Sequence, residues 1–272
     1  MARHTTVNSS LSRHLFGAER LTRPLAVTRV QKYSSYAFTI FATLHLANTS
    51  VIPLITQSVP EASTYLLLTR PFYQSALLEP LLIGLPLITH IGSGLALRQY
   101  RYSQNVRRYG SEPRHEKKNV SYPKISGTSA LGLALTPLVF GHIFLNRSLP
   151  LAKLGDSSTV GLEYVAHGFA LHPAIGFFGY TILVSIASWH IVWGWAKFLR
   201  LTPSYVTEGG LSGQHKRKKA WYLVNAAGAG VAGLWLAGAL GVVGRGGLAG
   251  GWLGAEYDDL YRSIPIVGPW LM

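Results

Sequence analysis

Five long apolar stretches, separated by segments rich in polar and charged residues, dominate the chain. Each stretch is close to the ~20 residues that an α-helix needs to cross about 30 Å of hydrocarbon. The pattern therefore predicts an all-α, polytopic membrane protein with five transmembrane helices. The predicted spans cover residues 36–55, 75–97, 129–145, 174–199 and 221–243.

The composition agrees with this pattern. Of the 272 residues, 48% are hydrophobic and only 13% are charged, which is about half the charged share of an ordinary soluble domain. The chain contains no cysteine, which excludes disulfides, thiolate metal sites and cysteine-based catalysis. It also lacks a nucleotide-binding loop, a flavin site and iron–sulfur ligands. The sequence therefore predicts a protein that is not an enzyme.

The basic residues are distributed unevenly between the two sides of the predicted helices. Most of the 25 lysines and arginines precede span one, or lie between spans two and three or spans four and five. The other side carries only Arg70, Arg147, Lys153, Arg245 and Arg262. This bias predicts a cytosolic N-terminus and a C-terminus on the opposite side. A topology signal of this kind explains the net charge of +14 without nucleic-acid binding. The alternative is that the same basic loops bind anionic lipid headgroups.

Two tails flank the predicted transmembrane domain, which covers residues 33–245. Residues 1–32 form a basic tail, rich in arginine and serine, whose one acidic residue is Glu19. This composition is typical of a mitochondrial transit peptide, and an uncleaved basic tail is the alternative. Residues 246–272 are rich in glycine and then in aromatic residues, which predicts an interfacial tail with tryptophan and tyrosine anchors.

Two motifs occur twice along the chain. "HLANTSVIPL" begins at His45 in span one, and "HIFLNRSLPL" begins at His142 in span three. Spans two and four share the pattern His-Ile-x-x-Gly-x-Ala, which begins at His90 and His190. We expect a duplicated two-helix unit, residues 33–100 and 126–200, followed by a fifth helix at 221–243. Two spans return the chain to its starting side, so the copies have the same orientation about a pseudo-twofold axis along the membrane normal.

This symmetry predicts two pairs of histidines, His45 with His142 and His90 with His190. Histidines inside hydrocarbon usually face the bundle interior, and two facing imidazoles can hold a haem iron from both sides. The four histidines are therefore candidate axial ligands for one or two haem b groups, and we expect no metal other than haem iron. The candidate partners of the haem propionates are Arg98, Arg101 and Arg200. The alternative is that the histidines are packing residues bonded to main-chain carbonyls or hydroxyls.

With these residues identified, the chain resembles the di-haem cytochrome b membrane subunit of succinate and fumarate dehydrogenases. Those subunits have five spans and four axial histidines, paired between spans one and three and between spans two and four. The resemblance covers residues 33–200 and implies a haem-binding electron-transfer subunit in the mitochondrial inner membrane.

The chain resembles a second family more closely, on the blocks "FATLHLANTSVIPL", "LEPLLIGLPLITHIGSGLALRQYR", "LTPLVFGHIFLNRSLPL" and "HPAIGFFGYTILVSIASWHIVWGWAKFLR". This is a fungal mitochondrial outer-membrane family whose founding member compensates for loss of the ER–mitochondria tether. It anchors the bridge-like lipid-transfer protein of the vacuolar protein sorting class. The resemblance implies a role in lipid homeostasis and membrane contact sites, with lipid scrambling as a further activity. It also implies a cytosolic N-terminus and a C-terminus in the intermembrane space.

One motif of that family is missing. Recruitment of the lipid-transfer protein is associated there with a Pro-x-Pro motif in the cytosolic N-terminal segment. The corresponding segment of this chain has one proline, Pro24, and no Pro-x-Pro occurs in the sequence. Recruitment through the N-terminal side is therefore a hypothesis that needs a degenerate motif or another surface.

Overall fold

The computed structural model describes the backbone of residues 6–109, 122–266 and 268–270. Every regular element in these ranges is helical, which confirms the all-α prediction. The α-helices are α1 (Thr6–Leu46), α2 (Ile52–Thr56), α3 (Val59–Thr69), α4 (Leu85–Tyr109), α5 (Gly127–Ile143), α6 (Leu149–Leu154), α7 (Leu162–Leu171), α8 (Pro173–Phe198), α9 (Gly210–Gly241) and α10 (Gly251–Arg262). Three π-helical segments accompany them, Ala47–Val51, Pro80–Gly84 and Phe144–Ser148.

Within the described residues, five helices are long and apolar enough to cross a membrane, as the sequence predicts. They are Leu25–Thr56, Pro80–Arg108, Gly127–Leu154, Pro173–Tyr205 and Gly210–Arg245. Each is longer than the apolar stretch that identified it, because the helical backbone continues into the polar flanks. A cytochrome b-like arrangement of these helices stays a prediction.

The chain divides into two compact units, which are described separately. The first contains the described residues of Met1–Thr39 and Glu79–Ile125, and the second those of Ile40–Leu78 and Ser126–Met272. Parts of the basic tail and of the basic loop between spans two and three, residues 1–5 and 110–121, lie outside the described residues. The same holds for Val267 and the last two residues of the C-terminal tail.

In the first unit, α4 contacts α1 through its glycine- and histidine-containing stretch. His90 Nδ1 lies 3.2 Å from the main-chain oxygen of Gln31. A Cβ placed on Gly94 would lie 3.1 Å from the Gln31 side-chain nitrogen, so the glycine permits this close approach. Ser93 and Leu97 are buried on the same helix.

In the second unit, α9 packs closely against two other elements through glycines. The indole of Trp189 on α8 lies 3.4 Å from a Cβ placed on Gly228. A Cβ on Gly238 would collide with the main chain of Ser50, whose hydroxyl donates to the Leu234 oxygen at 2.6 Å. Small residues at these positions allow helices to approach closely in a membrane, where van der Waals packing and hydrogen bonds drive association.

The second unit also has a small core that lies outside the spans except for Val243, near the end of the fifth span. One group of buried residues, on α3, α7 and the turn after α9, comprises Val59, Ala62, Leu66, Leu162, Ala166 and Val243. A second joins α10 to α7 and comprises Val160, Tyr164, Tyr257 and Leu260.

The C-terminal segment differs from the predicted interfacial tail. Residues Gly251–Arg262 form a helix, and the side chain of Tyr257 is only 1% exposed. Trp252 on the same helix is 72% exposed. Tyr257 therefore belongs to the core, and an anchoring role for the other aromatic residues of this segment stays a prediction.

Candidate functional site

The structure brings His45 and His142 together within the second unit. Their ring centroids are 5.8 Å apart, with an interplanar angle of 73°. Both side chains are half-buried, and both lie within transmembrane helices. This pair, with the side chains around it, is the candidate functional site.

The two histidines occupy corresponding places in two similar pieces of backbone. His45 is the penultimate residue of α1, and π-helical Ala47–Val51 follows it. His142 is the penultimate residue of α5, and π-helical Phe144–Ser148 follows it. In both cases a short helix with proline at its start comes next and ends at a left-handed residue. π-Helical turns within α-helices are frequent at functional sites.

Proline explains why the backbone widens at these points. Pro53 and Pro150 have no N–H group, so neither donates to the carbonyl four residues earlier, at Thr49 and Asn146. The freed carbonyls lie within the π-helical turns, and local π adjustments accommodate such prolines in membrane helices. The Pro-Leu that follows each histidine in the sequence was the available signal for this irregularity.

Aromatic rings surround the histidine pair. Phe41 stacks on His45 with centroids 5.5 Å apart, and the Trp235 ring meets His45 edge-on at 6.3 Å. Tyr180 meets His142 edge-on at 5.8 Å. The sequence analysis missed Tyr180 and Trp235, since no spacing in the sequence connects α8 and α9 with this site.

Polar side chains one turn beyond each histidine complete the site. Thr49 donates to the main-chain oxygen of His45 at 2.7 Å and accepts the Trp235 indole N–H at 3.1 Å. Asn146 donates from Nδ2 to the main-chain oxygen of His142 at 2.9 Å, and the same nitrogen lies 3.3 Å from His142 Nδ1. Asn146 thus fixes the hydrogen-bonding role of one ring nitrogen.

His90 and His190 make matching contacts in separate units. His90 Nδ1 donates to the Gln31 oxygen at 3.2 Å, and His190 Nδ1 donates to the Thr128 oxygen at 3.0 Å. A Cβ on Gly132 would lie 2.7 Å from His190 Cε1, so the glycine leaves room for the imidazole. The predicted pairing of His90 with His190 stays a prediction.

The three candidate propionate contacts have different surroundings. The Arg98 guanidinium lies 5.5 Å from the centre of the Tyr122 ring, which itself stacks on Tyr102 at 4.0 Å. Arg101 and Arg200 are exposed. Arg200 has φ of 60° directly after α8, where its left-handed backbone helps to end the helix. Their role toward propionates stays a prediction.

A second cluster of polar residues lies outside the spans. Arg70 donates to the main-chain oxygen of Ser157 at 2.8 Å and to that of Val160. Burial lowers the pKa of Arg70, and nearby Arg147 lowers it further. The imidazole of His167 accepts the Ala249 N–H at 3.0 Å and donates to Asp258 at 2.8 Å. The Arg70 contacts attach the end of α3 to the loop before α7, and the His167 contacts attach the segment after α9 to α7, so both serve the fold.

Comparisons with known proteins add one family. Among the described residues, no group of three or more His, Cys, Asp or Glu side chains is arranged to hold a metal ion. No curated protein and no solved structure significantly matches the chain. Residues 137–248, which include His142, Tyr180, His190 and Trp235 but less than half of the chain, match the family model for the transmembrane domain of MDM10-complementing protein 1.

Proposed function

We propose that the chain is a member of the MDM10-complementing protein 1 family and acts without catalysis in mitochondrial lipid homeostasis at organelle contact sites. The match of residues 137–248 to the family's transmembrane domain carries this proposal. The match runs from within span three to just past span five, so it includes part of span three and all of spans four and five. The four sequence blocks quoted above extend the resemblance to spans one and two.

The contacts of the histidines support the proposed duplication. Residues 31 and 128 are 97 positions apart, as are residues 45 and 142. His90 and His190 each donate to the main chain of one member of the first pair. Equal spacing of hydrogen-bond partners, and of the π-helical turns, is what two copies of one helical pair would produce.

The charge distribution supports an orientation with the N-terminus in the cytosol and the C-terminus in the intermembrane space. Lys216, Arg217, Lys218 and Lys219 lie near the start of α9. With 32 residues, α9 is about 48 Å long, so its first turns extend beyond ~30 Å of hydrocarbon. This basic start of α9 provides a surface that can contact anionic lipids or a partner protein.

We assign recruitment of a bridge-like lipid-transfer protein to the cytosolic face, with the basic start of α9 as a surface besides the N-terminal tail. The missing Pro-x-Pro motif is the reason to include a second surface. Lipid scrambling remains part of the proposal, as the family resemblance implies.

The experiment uses cells in which the native chain is replaced by a variant. It measures both the binding of the lipid-transfer protein and the composition of the mitochondrial phospholipids. Full-length protein is compared with a variant lacking residues 1–24 and with one carrying glutamine at the four basic positions 216–219. A matched control carries Arg245→Gln and Arg262→Gln on the other side. We expect the lipid-transfer protein to co-purify with full-length protein and with the control, and less with the two variants.

The same cells test the proposed role in lipid homeostasis. Deletion of the chain should change mitochondrial phospholipid composition, and full-length protein should restore it. Unchanged phospholipids together with no recruited lipid-transfer protein would contradict the proposed function. Immunoblots of purified mitochondria confirm that each variant reaches the organelle.

A haem-binding electron-transfer subunit is the second candidate function. His90 and His190 favour it, since each donates from Nδ1 to a carbonyl and therefore keeps the acceptor nitrogen at Nε2. That tautomer is the one in which metal-bound histidines are usually held. Protein produced with adequate haem supply should then show a Soret band that His90→Ala and His190→Ala both remove. A spectrum without this band contradicts the second candidate.

A further inference from the structure

The His45–His142 pair can be tested for its fit to haem within one compact unit. The ring centroids are 5.8 Å apart. Metal–nitrogen bonds are about 2 Å long, so two imidazoles on opposite sides of one iron have ring centres roughly 6 Å apart. The spacing alone is compatible with a shared iron.

The hydrogen bonds of His142 are not compatible with it. Asn146 Nδ2 lies 2.9 Å from the main-chain oxygen of His142. Since a carbonyl oxygen only accepts, the amide end that faces it must be the NH₂ group. The same nitrogen lies 3.3 Å from His142 Nδ1 and donates to it. Nδ1 is thus an acceptor, and the imidazole proton is on Nε2.

An iron bound at Nε2 requires the opposite tautomer, with the proton on Nδ1. That proton would point at the NH₂ group of Asn146, so two donors would face each other. Turning the amide over does not remove the conflict, because its oxygen would then face the main-chain oxygen of His142. The pair His45–His142 therefore does not fit a bis-histidine haem.

We propose that this pair binds a hydroxyl group inside the bilayer. His142 presents its Nε2–H as a donor. Neither ring nitrogen of His45 forms a hydrogen bond within the part of the chain that the structure describes; its recorded contacts are with rings. A neutral imidazole has one donor and one acceptor nitrogen. A hydroxyl both donates and accepts, so it satisfies His142 and His45 together.

The surroundings favour a neutral ligand over a charged one. Phe41 and Trp235 pack against His45, and Tyr180 packs against His142. An ion at this depth is costly, whereas a hydroxyl costs little once both of its hydrogen bonds form. Both histidine side chains are half-buried, so the protein does not enclose either of them completely.

A hydroxyl can come from water or from a membrane lipid, such as a sterol or a diacylglycerol. Binding of a lipid hydroxyl would give this site a lipid ligand, so that version of the proposal rests on the proposed function in lipid homeostasis. Binding of water does not rest on that function. The tautomer of His142 is common to both and does not depend on recruitment of a partner protein.

The first experiment measures the tautomer. Full-length protein with ¹⁵N-labelled histidine is placed in phosphatidylcholine nanodiscs, and the His142 resonances are assigned by their loss in His142→Gln. We expect the proton on Nε2 in the wild type and in Asn48→Ala, the matched control whose amide bonds Leu44 and Thr69. In Asn146→Ala we expect proton exchange between both nitrogens. The wild-type spectrum decides the question even if a variant fails to fold.

Two results overturn the proposal. One is a wild-type His142 with its proton on Nδ1. The other is a Soret band in haem-supplied protein that His45→Ala and His142→Ala remove while His90→Ala retains it. Neither result bears on recruitment or on mitochondrial phospholipids, so failure here is distinguishable from failure of the proposed function.

The second experiment separates the two sources with photoactivatable sterol probes in the same nanodiscs. One probe has a free 3-hydroxyl, and its 3-O-methyl ether cannot donate. For a lipid hydroxyl, labelling of helices α1 and α5 should be about five-fold stronger with the free hydroxyl, the effect of one hydrogen bond. If neither sterol probe labels these helices while His142 keeps its proton on Nε2, the hydroxyl comes from water. Strong labelling by both probes overturns the proposal, since the ether lacks the donor.

Discussion

At the residue scale, the hydrogen-bond partner of Nδ1 distinguishes His142 from His90 and His190, although the sequence around these histidines is similar. His90 and His190 face carbonyl oxygens, so they carry the proton on Nδ1. His142 faces the amide NH₂ of Asn146, so it carries the proton on Nε2. The same residue type in similar apolar sequence therefore has two different chemical roles.

Glycines on α9 differ in what a side chain would meet. Gly238→Ala should destabilise the protein by about 1–3 kcal/mol, because the new Cβ collides with the main chain of Ser50, which cannot move aside cheaply. Gly230→Ala is the matched control on the same helix, since nothing lies within 4 Å of its added Cβ. It should be neutral or stabilise by up to ~1 kcal/mol through helix propensity. Thermal denaturation in detergent compares them, and equal midpoints would contradict the packing of Gly238 against Ser50.

The tyrosines outside the spans predict an alkaline transition. Burial raises the pKa of Tyr257 from 10.0 to about 12, and burial also raises the pKa of Tyr164 and of Tyr261. A raised pKa gives stability that is fully present below pH 10 and is lost as the pH rises through the folded value. Tyrosinate absorbance should therefore show a late-titrating group that Tyr257→Phe reduces. A titration with every tyrosine ionised near pH 10 before unfolding would oppose this.

At the element scale, the hydrophobic pattern did not predict two features of the second unit: the π-helical turns within spans one and three, and helix α10. Spans one and three each contain a π-helical turn after a histidine, and the apolar pattern treats each span as one uninterrupted helix. Helix α10 lies in a segment rich in glycine, a poor helix former, so local propensity argued against it. Its buried side chains on one face stabilise it through tertiary contacts instead.

Helix α10 should contribute to stability through its buried face. Leu260 is 2% exposed, so Leu260→Ala should cost about 2–5 kcal/mol through lost burial and a cavity. Trp252→Ala on the same helix, at 72% exposure, should change stability far less in detergent. Thermal denaturation and limited proteolysis after residue 246 measure the stability of both variants. If the two variants behave alike, α10 is not packed as described.

At the scale of the whole molecule, the sequence predicted what hydrophobicity determines and missed much of what three-dimensional proximity determines. Five spans follow from apolar length alone, and the structure confirms them. Proximity of His45 and His142 was predicted from a repeated motif. Trp235 and Tyr180 were not predicted, because their approach depends on how α8 and α9 pack. The tautomer of His142 depends on an amide orientation, which no sequence pattern encodes.

The proposed topology is testable because the chain has no cysteine. Ser212→Cys places a single thiol at the exposed, basic start of α9, and Ser158→Cys places one in the exposed loop between spans three and four. An odd number of spans separates the N-terminus from Ser158, and an even number separates it from Ser212. A membrane-impermeant maleimide should therefore label Ser212→Cys in intact mitochondria. It should label Ser158→Cys only after the outer membrane is opened. Labelling of both thiols in intact organelles would contradict the proposed topology, and labelling of neither until the inner membrane is opened would exclude the proposed placement in the outer membrane.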